Sequence, residues 1–167
     1  MSASRPEQFS ATGQGKHREG FVVELTTADG SSWVANFQRG LTSYSSAHVA
    51  PDGRTIFVVA GGTAYVVDVE TRSAVHTFGA QIEYVLFDEP RSQLVFGNGL
   101  WFESWTRDGL RWRSARVAWD GVRELAVVDA KLAGKTTSYD GHGYDFAIDL
   151  ETGETTGGVP AARDFRP

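Results

Sequence analysis

The sequence predicts an all-β fold, and three features of its 167 residues support that prediction. Apolar residues recur at every second position in many short segments, which is typical of strands with one buried face. Five Asp-Gly pairs separate these segments, and Asp-Gly favours type I′ hairpin turns. Two short motifs return about 80 residues later, which indicates an internal repeat.

The first predicted strands follow a polar segment. Residues 1–20 contain one large hydrophobe besides Met1, which is Phe9, so we expect a disordered N-terminal tail there. The next two segments alternate and predict a pair of strands around a turn. Their buried faces would carry Phe21, Val23 and Leu25, and then Trp33, Ala35 and Phe37.

The middle of the chain predicts a buried hairpin. Residues 56–60 are apolar at every position, as in a central strand, and Gly61-Gly62 would turn them into the next strand. Residues 122–134 leave two alternatives open. Their helix propensity favours a helix, whereas the alternation of Leu125 and Val127 favours a hairpin. The remaining strands are predicted around Ile82, Tyr84 and Leu86, around Leu94 and Phe96, around Leu100 and Phe102, and around Tyr144, Phe146, Ile148 and Leu150.

The repeat has two independent markers. TADGSSW at residues 27–33 returns as TRDGLRW at 106–112, 79 residues later, and we interpret this motif as a structural corner. VDVETR at 67–72 returns as IDLETG at 148–153, 81 residues later. The similar offsets predict a period of about 80 residues, or two units of about 40.

Residues 50–78 combine a turn, a buried strand, a Gly-Gly hairpin and an Asp-x-Glu-Thr turn. In this order they resemble a repeat of quinoprotein-like or Trp-Asp-repeat β-propellers. Extended over residues 21–158, the resemblance implies a small or partial β-propeller-like meander of three to four antiparallel blades. We therefore expect one domain over residues 21–159 and a C-terminal tail over 160–167. Trp119 to Arg123 and Asp149 to Gly158 also resemble segments of short bacterial proteins of unknown function.

Composition excludes several classes of function. The chain has no cysteine, which rules out disulfides and thiolate metal sites, and its net charge of −5 disfavours nucleic acid and anionic membranes as partners. Its longest apolar run, residues 56–67, is too short to span a bilayer and is broken by two glycines. We expect a cytoplasmic protein.

The local motifs do not predict an enzyme. LAGKTT at 132–137 ends like a phosphate-binding loop, but Asp129 stands where that motif needs glycine, so we interpret the segment as a surface hairpin. Asp140, His142 and Asp145 could contact a divalent ion, but no second cluster completes the coordination, so we favour a glycine-flanked loop tip. We expect no catalytic residue, no bound metal and no cofactor.

The most unusual composition lies at residues 101–119, which hold four of the five tryptophans and four arginines. Trp and Arg are enriched where proteins bind one another. Alternation predicts that Arg111 and Arg113 face away from Trp112. The predicted binding surface consists of Trp101, Trp105, Arg107, Arg111, Arg113 and Arg116. The simpler interpretation is that the tryptophans form core and the arginines a solvated face.

These observations favour a non-enzymatic module that binds another protein or a second copy of itself. A narrower version is an immunity- or inhibitor-type protein, because such proteins are often small, acidic and free of cysteine. The alternative is a binder of a small molecule or carbohydrate, or a weak enzyme, that uses a central pocket between blades.

Overall fold

The computed structural model describes residues 5–14, 19–137 and 141–159, which form strands, turns and one short 3₁₀ turn. The chain divides into two compact units, Met1–Glu83 and Tyr84–Pro167. Each unit contains two sheets, which are called A and B in the first unit and C and D in the second. The prediction of an all-β, propeller-like meander is confirmed. The expected C-terminal tail lies outside the described residues.

Sheet A has three strands in the order β1-β3-β2. Their bounds are β1 (Glu7–Phe9), β2 (Phe21–Thr26) and β3 (Ser32–Phe37), and β1 runs parallel to β3. The expectation of a disordered tail is thus wrong for residues 7–9. The reason is that Phe9 is half-buried and packs against the core of this unit, with its ring 4.8 Å from that of Phe37. The Phe9 carbonyl also accepts a hydrogen bond from the Gln38 amide.

Sheet B is a four-stranded meander, with every strand paired to its neighbour in the chain. It contains β4 (Ser46–Val49), β5 (Thr55–Ala60), β6 (Thr63–Asp68) and β7 (Ser73–Phe78). Nearly every side chain of β5 and β6 is buried, which confirms the central hairpin around Gly61-Gly62. Both glycines have positive φ, as a type I′ turn requires.

Sheets C and D repeat the meander in the second unit. Sheet C contains β8 (Tyr84–Asp88), β9 (Gln93–Gly97), β10 (Phe102–Thr106) and β11 (Gly109–Arg113), with the 3₁₀ turn Glu89–Arg91 between the first two. Sheet D contains β12 (Val122–Val128), β13 (Lys131–Thr136), β14 (Asp145–Asp149) and β15 (Thr155–Gly157). The pair β12–β13 resolves the alternatives at residues 122–134 in favour of a hairpin.

Each unit has its own hydrophobic core. The core of the first unit lies between sheets A and B and includes Trp33, Phe37 and Tyr65. The core of the second unit lies between sheets C and D and includes Phe102, Trp112 and Ile148. Burial of apolar area on facing sheets is what stabilises such a pair of sheets.

Of the four Asp-Gly pairs that the structure describes, three lie at turns and Asp120-Gly121 lies at a bend, and the predicted turn type is wrong at all four. At these pairs only the glycine has positive φ, whereas a type I′ turn needs it at both positions. Two of the aspartates, Asp29 and Asp52, use their side chains instead. Asp29 accepts the Ser31 amide at 2.9 Å, and Asp52 accepts the Thr55 amide at 2.7 Å. These short side chains shape the turn in place of a second left-handed residue.

Candidate binding surfaces

The two repeat markers contact each other within each unit. In the first unit the indole nitrogen of Trp33 donates to the carbonyl of Val69, at 3.2 Å. In the second unit the indole nitrogen of Trp112 donates to the carbonyl of Leu150, at 3.1 Å. Each tryptophan comes from the Thr-x-Asp-Gly-x-x-Trp marker, and each carbonyl follows the aspartate of the other marker. The repeated stretches are therefore structural: each joins the two sheets of one unit.

The turn beside each tryptophan is also repeated. Asp68 accepts the amides of Glu70 and Thr71, both at 3.0 Å. In the matching turn of the second unit, Asp149 accepts hydrogen bonds from the amides of Glu151 and Thr152, at 2.9 and 3.0 Å. These backbone hydrogen bonds lower the pKa of Asp149 below its ordinary value. The backbone of the second turn therefore favours the ionised form of the Asp149 carboxylate.

Of the predicted surface, Trp105 and Arg113 lie on one face of sheet C and share an acidic partner. The Arg113 guanidinium pairs with Glu103 at 2.6 Å, and the Trp105 indole donates to the same carboxylate at 2.9 Å. Arg113 nevertheless stays 58% exposed at its side chain. Its charge is therefore available to solvent along one side.

Arg111 lies on the opposite face of β11 from Arg113. Ser104 lies opposite Trp112 and Trp105 lies opposite Leu110, so Arg111 is the extra residue of a β-bulge. A bulge interrupts the alternation of faces. The prediction that Arg111 faces away from Trp112 is therefore wrong, whereas Arg113 lies opposite Glu103 on the other face.

Arg111 ends a buried hydrogen-bond network around Gln93. Its guanidinium donates to the Gln93 side-chain carbonyl at 3.2 Å, and the Ser104 hydroxyl donates to the same oxygen. The Gln93 amide nitrogen donates to Asp88 at 2.8 Å and to the Leu150 carbonyl. Both polar atoms of the buried Gln93 side chain therefore have hydrogen-bond partners, so the network stabilises the bulge and the position of the Arg111 side chain.

The other predicted residues lie in the loops that flank β10 and β11. The Arg116 guanidinium lies 4.3 Å from the ring centre of Trp119, a cation–π contact. Trp101 is half-buried, and the Asn98 side chain accepts its amide at 3.1 Å. Arg107 is half-buried in the β10–β11 turn. The six residues thus surround the edge of sheet C but do not form one flat patch.

Four of them define what we call the basic strip: Arg107, Arg111, Arg113 and Arg116. Two are on β11, one of the two edge strands of sheet C, and two are in the adjoining loops. Asp108 is the only acidic residue between positions 107 and 116. Leu110, 46% exposed, adds an apolar side chain to the same edge strand.

Sequence reasoning missed a serine–histidine contact on β4. The ring nitrogen Nε2 of His48 lies 3.1 Å from the Ser46 hydroxyl, and burial lowers the pKa of this histidine below its ordinary value. The signal was present, because residues two apart in a strand share a face. The pair is half-buried at the edge of sheet B.

The other motifs have simple positions. Lys135 and Thr136, the end of the phosphate-loop-like segment, lie within β13. Asp140 lies outside the described residues, while His142 and Asp145 are exposed. Across the described ranges, no three His, Asp or Glu side chains are grouped to hold a metal ion. Within the same ranges, no helix has the length and hydropathy needed to cross a bilayer.

The described residues form three four-stranded meanders and one three-stranded sheet, which is a β-propeller-like fold, and one comparison supports this. The chain is similar to the structure of the dihydro-heme d1 dehydrogenase NirN in complex with DHE, with 17% sequence identity and a TM-score of 0.53. The match covers 95% of this chain and 37% of that chain. At this identity the likeness shows the fold alone. No family model and no curated protein sequence matches the chain.

Proposed function

We propose that the chain is a non-enzymatic binding module that recognises another protein through the basic strip. The proposal rests on one observation: the edge strand β11 exposes an apolar side chain, Leu110, beside two basic side chains, Arg111 and Arg113. An arginine side chain provides both a large contact area and directional hydrogen-bond donors. An apolar neighbour such as Leu110 helps to exclude water from the hydrogen bonds that these donors form. An edge strand also offers backbone groups to an added strand.

The charge of the strip determines the chemistry of the partner. The whole chain has a net charge of −5, yet four of its sixteen basic residues fall between positions 107 and 116. Glu103 offsets one of them, Arg113. A partner segment that is acidic and extended would match both the charge and the free edge. In the narrower version, an immunity- or inhibitor-type protein, the partner would be an enzyme whose activity falls on binding.

The test compares capture of partners by the wild-type chain and by the double variant Arg111→Gln, Arg113→Gln. Glutamine is shorter than arginine but stays polar and removes both charges. The Gln93 side-chain carbonyl keeps the Ser104 hydroxyl as a donor in this variant. We expect the wild type to retain a protein that the double variant loses. Raised salt should weaken the capture, because the contacts are exposed charge pairs.

The matched control is Arg123→Gln, because Arg123 is 55% exposed and lies in the same unit but on β12. It should capture the same protein as the wild type, and all variants should keep the wild-type melting temperature within a few degrees. Identical capture by the double variant would refute the role of the strip. Mass measurement by light scattering then shows whether the retained partner is a second copy.

A further inference from the structure

We propose that the second unit carries a groove for a small molecule with an apolar body and a cationic head group. The groove lies between sheets C and D, beside β8, the 3₁₀ turn Glu89–Arg91 and the β12–β13 turn, and has a volume of about 330 Å³. It shares no residue with the basic strip. Small-molecule sites commonly have volumes of about 300–1,000 Å³, so the groove suits a small ligand and is too small for a helix.

The walls of the groove are apolar. They are formed by Phe87, Pro90, Val127 and Ala130. Phe87 is 46% exposed and Val127 is 49% exposed. Single exposed hydrophobic residues are ordinary, but several around one concavity mark a binding site. An occupant with an aromatic or aliphatic body would remove this surface from water.

The backbone at one wall is strained. Asp129 has a φ of 47° and Ala130 a φ of 62°, so both residues of this hairpin turn are left-handed, and glycine is the usual residue at the second position. The Ala130 carbonyl accepts the Leu150 amide at 3.1 Å, which fixes the turn. Alanine at this position costs stability but contributes a methyl group to the wall.

The charge at the rim favours a cation. Arg91 lies 3.3 Å from both carboxylate oxygens of Asp88, and Gln93 donates to the same aspartate, so these two charges offset each other. Glu89 lines the groove, is exposed and has no ion pair among the described residues. One carboxylate therefore remains uncompensated beside an apolar wall, which fits an ammonium group at the end of an apolar body.

The experiment uses three probes that share one apolar body and differ in head group: 4-phenylbutylammonium, 4-phenylbutanol and 4-phenylbutanoate. Each is titrated into the nitrogen-15-labelled full chain, and amide shifts are followed at Val127 and Ala130. We expect the ammonium to bind most tightly and the carboxylate least. Since exposed ion pairs are weak, the ammonium should bind about three-fold more tightly than the alcohol.

Glu89→Gln should abolish the preference for the ammonium and leave the affinity for the alcohol unchanged. The matched control Glu154→Gln, which removes an exposed carboxylate elsewhere in the unit, should change neither. Equal affinities for the three probes, or a preference that survives Glu89→Gln, would overturn the assignment of the head group. If no probe shifts these amides at millimolar concentration, the groove is not a binding site. None of these variants alters the basic strip, so the outcome is independent of partner capture.

Discussion

The clearest test of the repeated architecture is to replace each marker tryptophan by phenylalanine. Phenylalanine keeps an aromatic ring but removes the indole N–H that reaches the Val69 carbonyl in the first unit and the Leu150 carbonyl in the second. Trp33 and Trp112 are both nearly fully buried. The smaller ring therefore also leaves a cavity, which costs about 1 kcal/mol.

The two variants should differ in cost because their carbonyls have different further partners. Leu150 also accepts a hydrogen bond from Gln93, so Trp112→Phe leaves that carbonyl with a partner. The Val69 carbonyl accepts its side-chain hydrogen bond from Trp33. Trp33→Phe removes that donor and leaves the buried carbonyl oxygen unsatisfied, which costs about 1–3 kcal/mol. We expect a total of about 2–4 kcal/mol for Trp33→Phe and about 1–2 kcal/mol for Trp112→Phe.

The assay is denaturant unfolding followed by far-UV circular dichroism, because four of the five tryptophans lie in the second unit and would bias fluorescence. Trp105→Phe is the matched control. Its indole bonds to the side chain of Glu103 in a half-buried position, so its cost should stay below about 1 kcal/mol. The reasoning fails if Trp112→Phe costs more than Trp33→Phe, or if neither exceeds the control.

Three further predictions concern single positions. Gly62→Ala should destabilise the chain by more than about 2 kcal/mol, because the φ of Gly62 is +86° and a Cβ there would lie 2.8 Å from the backbone oxygen of Ala80. Gly30→Ala is the control: Gly30 has a similar φ of +82° but open space around it, so this variant should cost only about 1 kcal/mol in denaturant unfolding. Ala130→Gly should raise stability by up to about 1 kcal/mol, since its φ is 62°. His48 has a lowered pKa in the folded chain, so its neutral form is favoured there, and stability should fall as the pH drops below about 6.5. His48→Gln should flatten that decline between pH 7 and 5 in denaturant midpoints, and an unchanged slope would contradict the assignment.

Local pattern was enough to predict the strands but not their exceptions. The apolar run at 56–60 with Gly61-Gly62 defines β5 and β6 because burial on both faces and a left-handed turn are properties of a short segment. Phe9 could not be placed, because its partners in sheet A are distant in the chain. A bulge likewise depends on how two strands pair, so alternation alone placed Arg111 on the wrong face.

The groove and the networks depend on still longer separations. Phe87 and Val127 line one concavity although 40 positions separate them, and no periodicity links them. The Gln93 side chain, which reaches the Leu150 carbonyl, is similarly unpredictable from its neighbours. By contrast, the contact between Ser46 and His48 follows from strand period alone and could have been predicted.

The internal repeat helps to separate structure from function. Both units contain the tryptophan, the Asp-capped turn and the hydrogen bond between them, so these features belong to the fold. A second contact fits the same view: Gly153 packs closely on the Trp112 ring, and Arg72, the matching residue of the first unit, lies over Trp33 at 5.6 Å. Both residues have positive φ, so the turn geometry is repeated even where the side chain is not.

The basic strip has no counterpart in the first unit. The positions 79 residues before its four arginines carry Ala28, Ser32, Val34 and Phe37, none of which is charged. A feature that the shared architecture required would be expected in both copies, because the two units pack their sheets through the same contacts. The arginines are therefore extra to the fold, at the cost of a bulge and a buried polar network in sheet C. This asymmetry between otherwise matching units is the reason to look for the partner at the edge of β11.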